Sequence, residues 1–448
     1  MRISKITVTS VTTAALALGL AACGSGSTGA GESAAPSAAG SESAAPSGPK
    51  FAGKTITVWR LGDPNEPANK YMADLTAKFK TDTGADVKVE WIPWTAINDK
   101  WTTAAAGGEG PDVTEIGNTQ VLEWQSQDAL LPITDIIKAT PDFAEIPQNL
   151  WGYETVDGEI YASPWGGGTR AVLYRKDWFK ELKLEEPKNW DEMVAAAKKI
   201  TESKGKDVDG FAFVGGTDAN YSLSPFVWSA GGDFAVKEGD KWVGKLTDPA
   251  FKEGFTFYTD LVGKHAVSAK SRLNLATDGI RARFSNGKVG MYITAPWDIA
   301  TIKEESKGKM KDSQMGFFTI PGKDGQPAPA FQGGNDIAVW KDSKEPEVAK
   351  AFVALAAGKE FGTRYAVEGG LLPYYAEGLK KVAEDPATSA FANAFSHARG
   401  FPNDANWNEA SETKAVVQNA ARAVIEGKKN VDTALADANK ELEEILNQ

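Results

Sequence analysis

The 448-residue sequence contains one cysteine, Cys23, and two histidines, His265 and His397. A single thiol excludes an internal disulfide framework. Two isolated histidines, neither beside a ligand set, argue against a histidine-rich zinc site or a histidine-dependent triad. Positive charge is not in excess: 49 Lys plus Arg face 60 Asp plus Glu, a formal net charge of -11, with the signs interleaved. That balance speaks against nucleic acid as a partner. No Gly-x-Gly-x-x-Gly or Gly-Lys-Ser/Thr pattern accompanies GGG at 166–168, which reads as a flexible turn and not a phosphate loop. DPNEPANKY lacks the glycine and terminal glutamate of a calcium loop, and no solenoid-type repeat is present. No metal and no cofactor is expected.

The amino terminus has a different character. Arg2 and Lys5 precede VTTAALALGLAA, which is apolar but too short to span a bilayer, and Cys23 follows. Leu20-Ala21-Ala22-Cys23 resembles a bacterial lipobox. The resemblance implies that residues 1–22 are a removable signal and that Cys23 is lipidated, anchoring the chain outside the cell membrane. Residues 24–49 are Gly, Ser, Ala, Pro, Thr and Glu only, so residues 23–51 are expected to be a lipidated cysteine and a disordered tether. As a flexible coil that tether would span about 30 Å on average and roughly 85 Å when stretched.

Folded sequence begins at KTITVWR, where Ile56 and Val58 alternate with polar residues. Met72, Leu75 and Phe79 then recur at helical spacing, and VKVEW alternates at Val87, Val89 and Trp91. Strand, helix and strand make a βαβ unit with parallel strands. A second helix near 96–106 leads to PDVTEIGNTQ as a third strand. AVLYR at 171–175, DEMVAAAKKI, FAFVGG, a helix near 251–262 and KVGMYITAPW repeat the theme, NDIAVW returns to strand, and 345–448 reads largely helical. At this length two domains are expected, as two α/β lobes with several chain crossings between them.

Ligands of open sheets gather beyond the carboxyl ends of the strands. Those ends carry Asn65 and Glu66 in RLGDPNEP, Trp94 in WIPW, and Asn118, Thr119 and Gln120. Neutral hydrogen-bonding groups beside aromatics suit a binding cleft more than a catalytic pocket. Trp165, Trp297 and Trp407 sit beside Pro, Gly or Asn, and a Trp face fits the CH face of a sugar ring. Trp59, Trp178 and Trp340 lie inside regular patterns and are assigned to packing. Asn118 or Thr119 also suits the N-cap of a helix beginning VLEW. Gly333, Gly334 and Asn335 in FQGGNDIAV form a second polar cluster, readable also as a tight turn. A two-carboxylate glycosidase could be built from Glu115 and Asp298, although Asp298 reads more simply as an acceptor for ligand hydroxyls.

The ordered set of lipobox, tether, PDVTEIGNTQ, YASPWGGGTRAVLYRKDWF, NGKVGMYITAPWD, GFFTIPG and FQGGNDIAVW resembles the extracellular solute-binding lipoproteins that feed sugars to ABC transporters. EIGNTQ with the later APW and GGN segments looks most like the branch that binds N,N′-diacetylchitobiose. The resemblance implies an α/β fold of two periplasmic-binding-protein-like lobes, each a mostly parallel sheet flanked by helices, joined by a multi-segment hinge. Residues 52–163 plus 338–385 would form one lobe, and 164–337 plus 386–448 the other. It carries Asn118, Thr119, Trp165, Trp297, Gly334 and Asn335 into the cleft, with Trp94, Asn65, Glu66, Tyr221, Trp228, Asp298 and Trp407 as further candidates. The expected partners are a short oligosaccharide and the permease subunits of an importer. The chain is expected to act as a monomer and to catalyse no reaction; a lipid-anchored glycoside hydrolase or a surface lectin is the competing class.

Overall fold

The computed structural model of the chain describes residues 50–62, 64–385, 388–395 and 397–448; Cys23, the leader and the tether lie outside them. In chain order the strands are β1 (Thr55–Leu61), β2 (Asp86–Ile92), β3 (Val113–Gly117), β4 (Thr155–Val156), β5 (Glu159–Ile160), β6 (Ala162–Gly168), β7 (Ala171–Arg175), β8 (Asp209–Phe211), β9 (Ala235–Glu238), β10 (Lys241–Gly244), β11 (Val289–Thr294), β12 (Met315–Phe318) and β13 (Gly333–Val339). No described helix is long and apolar enough to cross a membrane.

The helix Glu66–Thr83 forms where the spacing predicts it. Asn65 Oδ1 accepts from the Ala68 N–H at 2.9 Å, Pro67 lies in the first turn, and Gly84 ends the helix at φ +79°. Its buried face is Tyr71, Met72, Leu75 and Phe79. The strands on either side, β1 and β2, pair in parallel from Thr55 opposite Asp86 to Leu61 opposite Ile92. β3 joins the other edge of β1 in parallel, with Val58 opposite Val113.

β3 does not alternate between core and solvent. Val113 packs in one cluster with Ile56, Val58 and Tyr365, while Ile116 packs in another with Trp101, Trp124 and Trp340. With both faces covered, Thr114 and Glu115 are buried too.

The five-stranded sheet has the order β2-β1-β3-β13-β6, and the four-stranded sheet β12-β7-β11-β8. Each is mostly parallel, as expected, with one reversed strand: four of five strands in the first sheet and three of four in the second share a direction. The reversed strands are β13, antiparallel to its neighbours β3 and β6, and β7, antiparallel to its neighbours β11 and β12. The reason is the crossing of the chain. β6 ends at Gly168 and, after Thr169 and Arg170, becomes β7 of the other sheet. β13 returns from that sheet and therefore starts beside the end of β3, with Asn335 opposite Gly117.

The five-stranded sheet thus extends to Gly168 and resumes at Gly333, beyond the boundaries expected at 163 and 338. GGG at 166–168 and Gly333-Gly334 are strand, not turn. Gly167 exchanges both backbone hydrogen bonds with Leu372 at 2.7 Å, and a Cβ on Gly166 would fall 2.8 Å from Leu371 and Tyr365 side-chain carbons. Close cover leaves no room for the side chains whose periodicity marks a strand. A third passage follows: helix Lys359–Glu368 packs on the five-stranded sheet, whereas helices Val416–Ile425 and Val431–Leu446 pack in the core of the four-stranded one.

Candidate functional site

The crossings bring the strand ends together. Register places Asn335 beside Gly117, hence beside Asn118, and Gly333 beside Gly168. A Cβ on Gly168 would lie 3.6 Å from the Trp297 ring, and one on Gly334 would lie 2.5 Å from the Tyr374 hydroxyl. Gly334 is therefore required by the close approach of Tyr374. Trp297 is half-buried, with the Arg170 guanidinium 4.6 Å from its ring centre; the same guanidinium lies 5.3 Å from the Tyr221 ring. Asn118, Gly334, Asn335, Trp297 and Tyr221 are thus brought to one region between the sheets, with Tyr374 and Arg170 added to them.

Asn335 is held by a buried network. Its amide nitrogen donates to Glu115 Oε1 at 2.7 Å and to the Tyr365 hydroxyl oxygen at 2.8 Å. The Tyr365 hydroxyl and the Leu61 N–H also donate to Glu115, at 2.5 and 2.8 Å, and Arg60 forms an ion pair with it. A carboxylate bound by so many donors fixes the side chains around it and keeps no lone pair for chemistry. Asp298 is equally committed inside the other lobe, accepting from Tyr292 at 2.9 Å, Thr294 at 2.5 Å and Arg281 at 3.4 Å. Burial pushes its pKa up against the pull of those donors. Glu115 and Asp298 therefore do not form a catalytic pair, and Asp298 is a structural acceptor, not a sugar contact.

Three of the tryptophans are corrected in the same way. Trp165 is 1% exposed, stacks on Tyr365 with centroids 3.8 Å apart, and donates Nε1–H to the Ala356 carbonyl at 2.9 Å. Trp228 and Trp407 are buried against Phe401 and Phe234 in the core of the second lobe. Each has its faces taken by neighbouring rings. Trp94 is the opposite case, 43% exposed beside Gly62 at the end of β1. Asn65 is occupied as the helix cap described above, and Glu66 is exposed in the first turn of that helix.

Neither Asn118 nor Thr119 caps the helix Val121–Ser126. Residues 118–120 form a 3-10 turn that runs straight into it, so the Val121 N–H is bonded by the Asn118 carbonyl. Asn118 Oδ1 accepts instead from the Thr119 N–H at 2.9 Å, and the Thr119 carbonyl accepts from Asn408 at 3.0 Å. Asn408 belongs to a segment of the second lobe that bridges to the first, where Tyr153 also donates to the Phe401 carbonyl at 3.0 Å and Asn403 to the Gly152 carbonyl at 3.2 Å.

Beside that bridge lies a cavity of about 200 Å³ whose wall includes Asn118, Tyr153, Glu154, Gln332, Tyr374 and Asn403. At its edge Glu154 faces Asp336 within hydrogen-bonding reach, and neither Asp336 oxygen has a donor among the described residues. Two buried carboxyl groups so placed repel when both are charged, which favours proton uptake by the pair. Burial first, and the Asp336 charge next, push Glu154 well above the carboxylate range; burial pushes Asp336 up to about 7.

Tyr374, Arg170 and the 400–408 bridge were not legible in the sequence. The one signal for Arg170 is that no acidic residue stands between Glu159 and Asp177 to pair with it locally. Among the described residues no cluster of three or more His, Cys, Asp or Glu could hold a metal.

Residues 63–362 match the profile of the family described as bacterial extracellular solute-binding protein. The chain is 31% identical over 388 residues to the diacetylchitobiose-binding protein DasA of Streptomyces coelicolor, covering 86% of this chain and 88% of that one. Among solved structures, an ABC transporter solute-binding protein of Thermotoga lettingae, bound with alpha-D-tagatose, superposes with TM-score 0.78 at 24% identity, over 88% of this chain and all of the other. The GacH receptor of Streptomyces glaucescens, solved unliganded and with acarbose, gives TM-score 0.75 at 24% identity over 88% and 98%. Both likenesses are of fold, the two-lobe architecture described above.

Proposed function

The chain belongs to the bacterial extracellular solute-binding protein family, and from that premise we propose that it captures a short oligosaccharide between its lobes for an ABC importer. The observation that supports this reading is the meeting of strand ends where the chain crosses between sheets: half-exposed Trp297 lies beside Gly168, which pairs with Gly333, and Asn335 pairs with Gly117 next to Asn118. Aromatic faces bury sugar CH surfaces, and amides read hydroxyl or acetamido groups. Likeness to DasA makes N,N′-diacetylchitobiose the first ligand to test, with xylo-, cello- and malto-type oligosaccharides as alternatives.

The remaining parts of the reading follow from the leader. Cys23 carries the lipid, residues 24–49 tether the body to the outer face of the cell membrane, and the partners are the permease subunits. The lobes would be built one on each sheet, with the first crossings near Gly168 and Gly333 instead of 163 and 338, and the protein would be a monomer. Binding works by differential affinity: the sugar must favour the closed arrangement of the lobes for the permease to sense it. No bond is broken.

Calorimetric titration of the purified protein with di- and trisaccharides, followed by chromatography of the recovered sugar, tests the proposal. Saturable binding of at least one intact sugar, with a smaller radius of gyration in solution scattering, is expected. Shortened products would favour a hydrolase, and no heat with any sugar would overturn the reading.

A further inference from the structure

Every other described arginine donates to a carboxylate or carbonyl oxygen, as Arg60 does to Glu115, Arg281 to Glu305 and Arg399 to Asp233. Arg170 has neither a hydrogen bond nor an ion pair among the described residues. Its charge instead sits over the rings of Trp297 and Tyr221. Tyr221 is fixed there by donating to Glu412 at 2.6 Å. Asp218 and Asp298 are felt by Arg170 only at a distance, and burial lowers its pKa. A guanidinium offers five N–H donors and no acceptor, stays charged, and loses solvation when covered. Arg170 is only partly covered and none of its nitrogens is a buried donor without a partner, so its fork is open to an acceptor that a ligand brings.

We propose that Arg170 is a specificity-determining residue that receives a carbonyl or carboxylate oxygen borne by the sugar, so that the ligand carries an acetamido or uronate substituent. The proposal rests on the oligosaccharide reading above. The planar donor fork matches such oxygens better than the hydroxyls of a plain sugar. The position agrees: Arg170 lies in the two-residue link between β6 and β7, next to Gly168, with Trp297 beside it to stack a ring while the guanidinium holds its substituent.

The test is calorimetry on wild type, Arg170→Lys and Arg170→Met with three disaccharides: N,N′-diacetylchitobiose, digalacturonate and cellobiose. Wild type should prefer one substituted sugar over cellobiose by about 10- to 100-fold, as expected for hydrogen bonds to a charged group. Which sugar is preferred identifies the acetamido or the carboxylate source. Arg170→Met should erase that preference, weakening the preferred substituted sugar by about 10-fold or more beyond any change for cellobiose, while the melting temperature stays near that of wild type because only the contacts with the Trp297 and Tyr221 rings are lost. Arg170→Lys should keep part of the preference.

Undiminished preference in Arg170→Met, or equal loss for all three sugars with a lowered melting temperature, overturns the inference. Wild type that binds cellobiose as well as the substituted sugars also overturns it while leaving the transport reading intact. Wild type that binds no sugar overturns both.

Discussion

Replacing Trp165 by alanine should cost stability and not recognition. The indole is 1% exposed, so nearly all of its surface, roughly 200 Å² for a Trp, leaves water on folding. At about 25 cal/mol/Å² that burial contributes about 5 kcal/mol as an upper figure. Truncation also strands the Ala356 carbonyl that accepts its Nε1–H at 2.9 Å, and uncovers the Tyr365 face stacked at 3.8 Å. Partial collapse of the cavity brings the expected loss to about 4 kcal/mol, inside the range of about 3–5 for buried aromatics. In urea at 25 °C, followed by far-ultraviolet circular dichroism, the first-lobe transition should move down by about 1 M.

Tyr365 also bonds Asn335 and Glu115, so the alanine variant can weaken sugar binding indirectly. Trp165→Phe separates the two effects. It keeps a stacked ring and loses the Nε1 donor, for about 1–3 kcal/mol of stability and less than twofold in affinity. A wild-type urea midpoint in Trp165→Ala, together with tenfold weaker sugar binding in Trp165→Phe, would refute the assignment and return Trp165 to the ligand.

Trp297→Ala should show the converse, sugar affinity weaker by about 1–3 kcal/mol with little change in melting temperature; a calorimeter reads the first and a thermal scan the second. Gly334→Ala places a methyl 2.5 Å from the Tyr374 hydroxyl and 2.8 Å from the Gly166 carbonyl oxygen, and should lower stability by about 1–3 kcal/mol, measured by urea unfolding. The Glu154–Asp336 pair is raised above its unfolded values, so the native state binds the extra proton. Its favourable contribution is complete below pH about 4 and is lost as pH climbs through about 7. Asp336→Asn should therefore raise the melting temperature more at pH 8 than at pH 5; an equal change at both would contradict it. On the anchoring proposed for Cys23, Cys23→Ser should shift the mature protein from the membrane pellet to the supernatant on fractionation of cells that express it, and an unchanged pellet fraction would refute that proposal.

Wherever a property depends on neighbours in sequence, the sequence by itself determined it. The first helix follows from Met72, Leu75 and Phe79 and from its Asn65 cap, and the parallel pairing of β1 and β2 from the alternation at Ile56, Val58, Val87 and Val89. The composition set aside nucleic acid and disulfide chemistry, and the ordered motifs indicated the family. Position in the cleft depended on residues hundreds apart, and there the sequence was silent. A Trp beside Pro or Gly has the same local signature whether it stacks on Tyr365, as Trp165 does, or stands half-exposed beside Arg170, as Trp297 does.

The glycines at 166–168 and 333–334 carry no periodicity, so their strands emerged only when Gly333 met Gly168 across the sheet. Pairing of charges is likewise decided in three dimensions. Arg60 found Glu115, 55 residues away, whereas no acidic side chain came within reach of Arg170. A charge left without a partner, half-buried beside Trp297 and Tyr221, is a property of the packed molecule, and only the tertiary structure could create it.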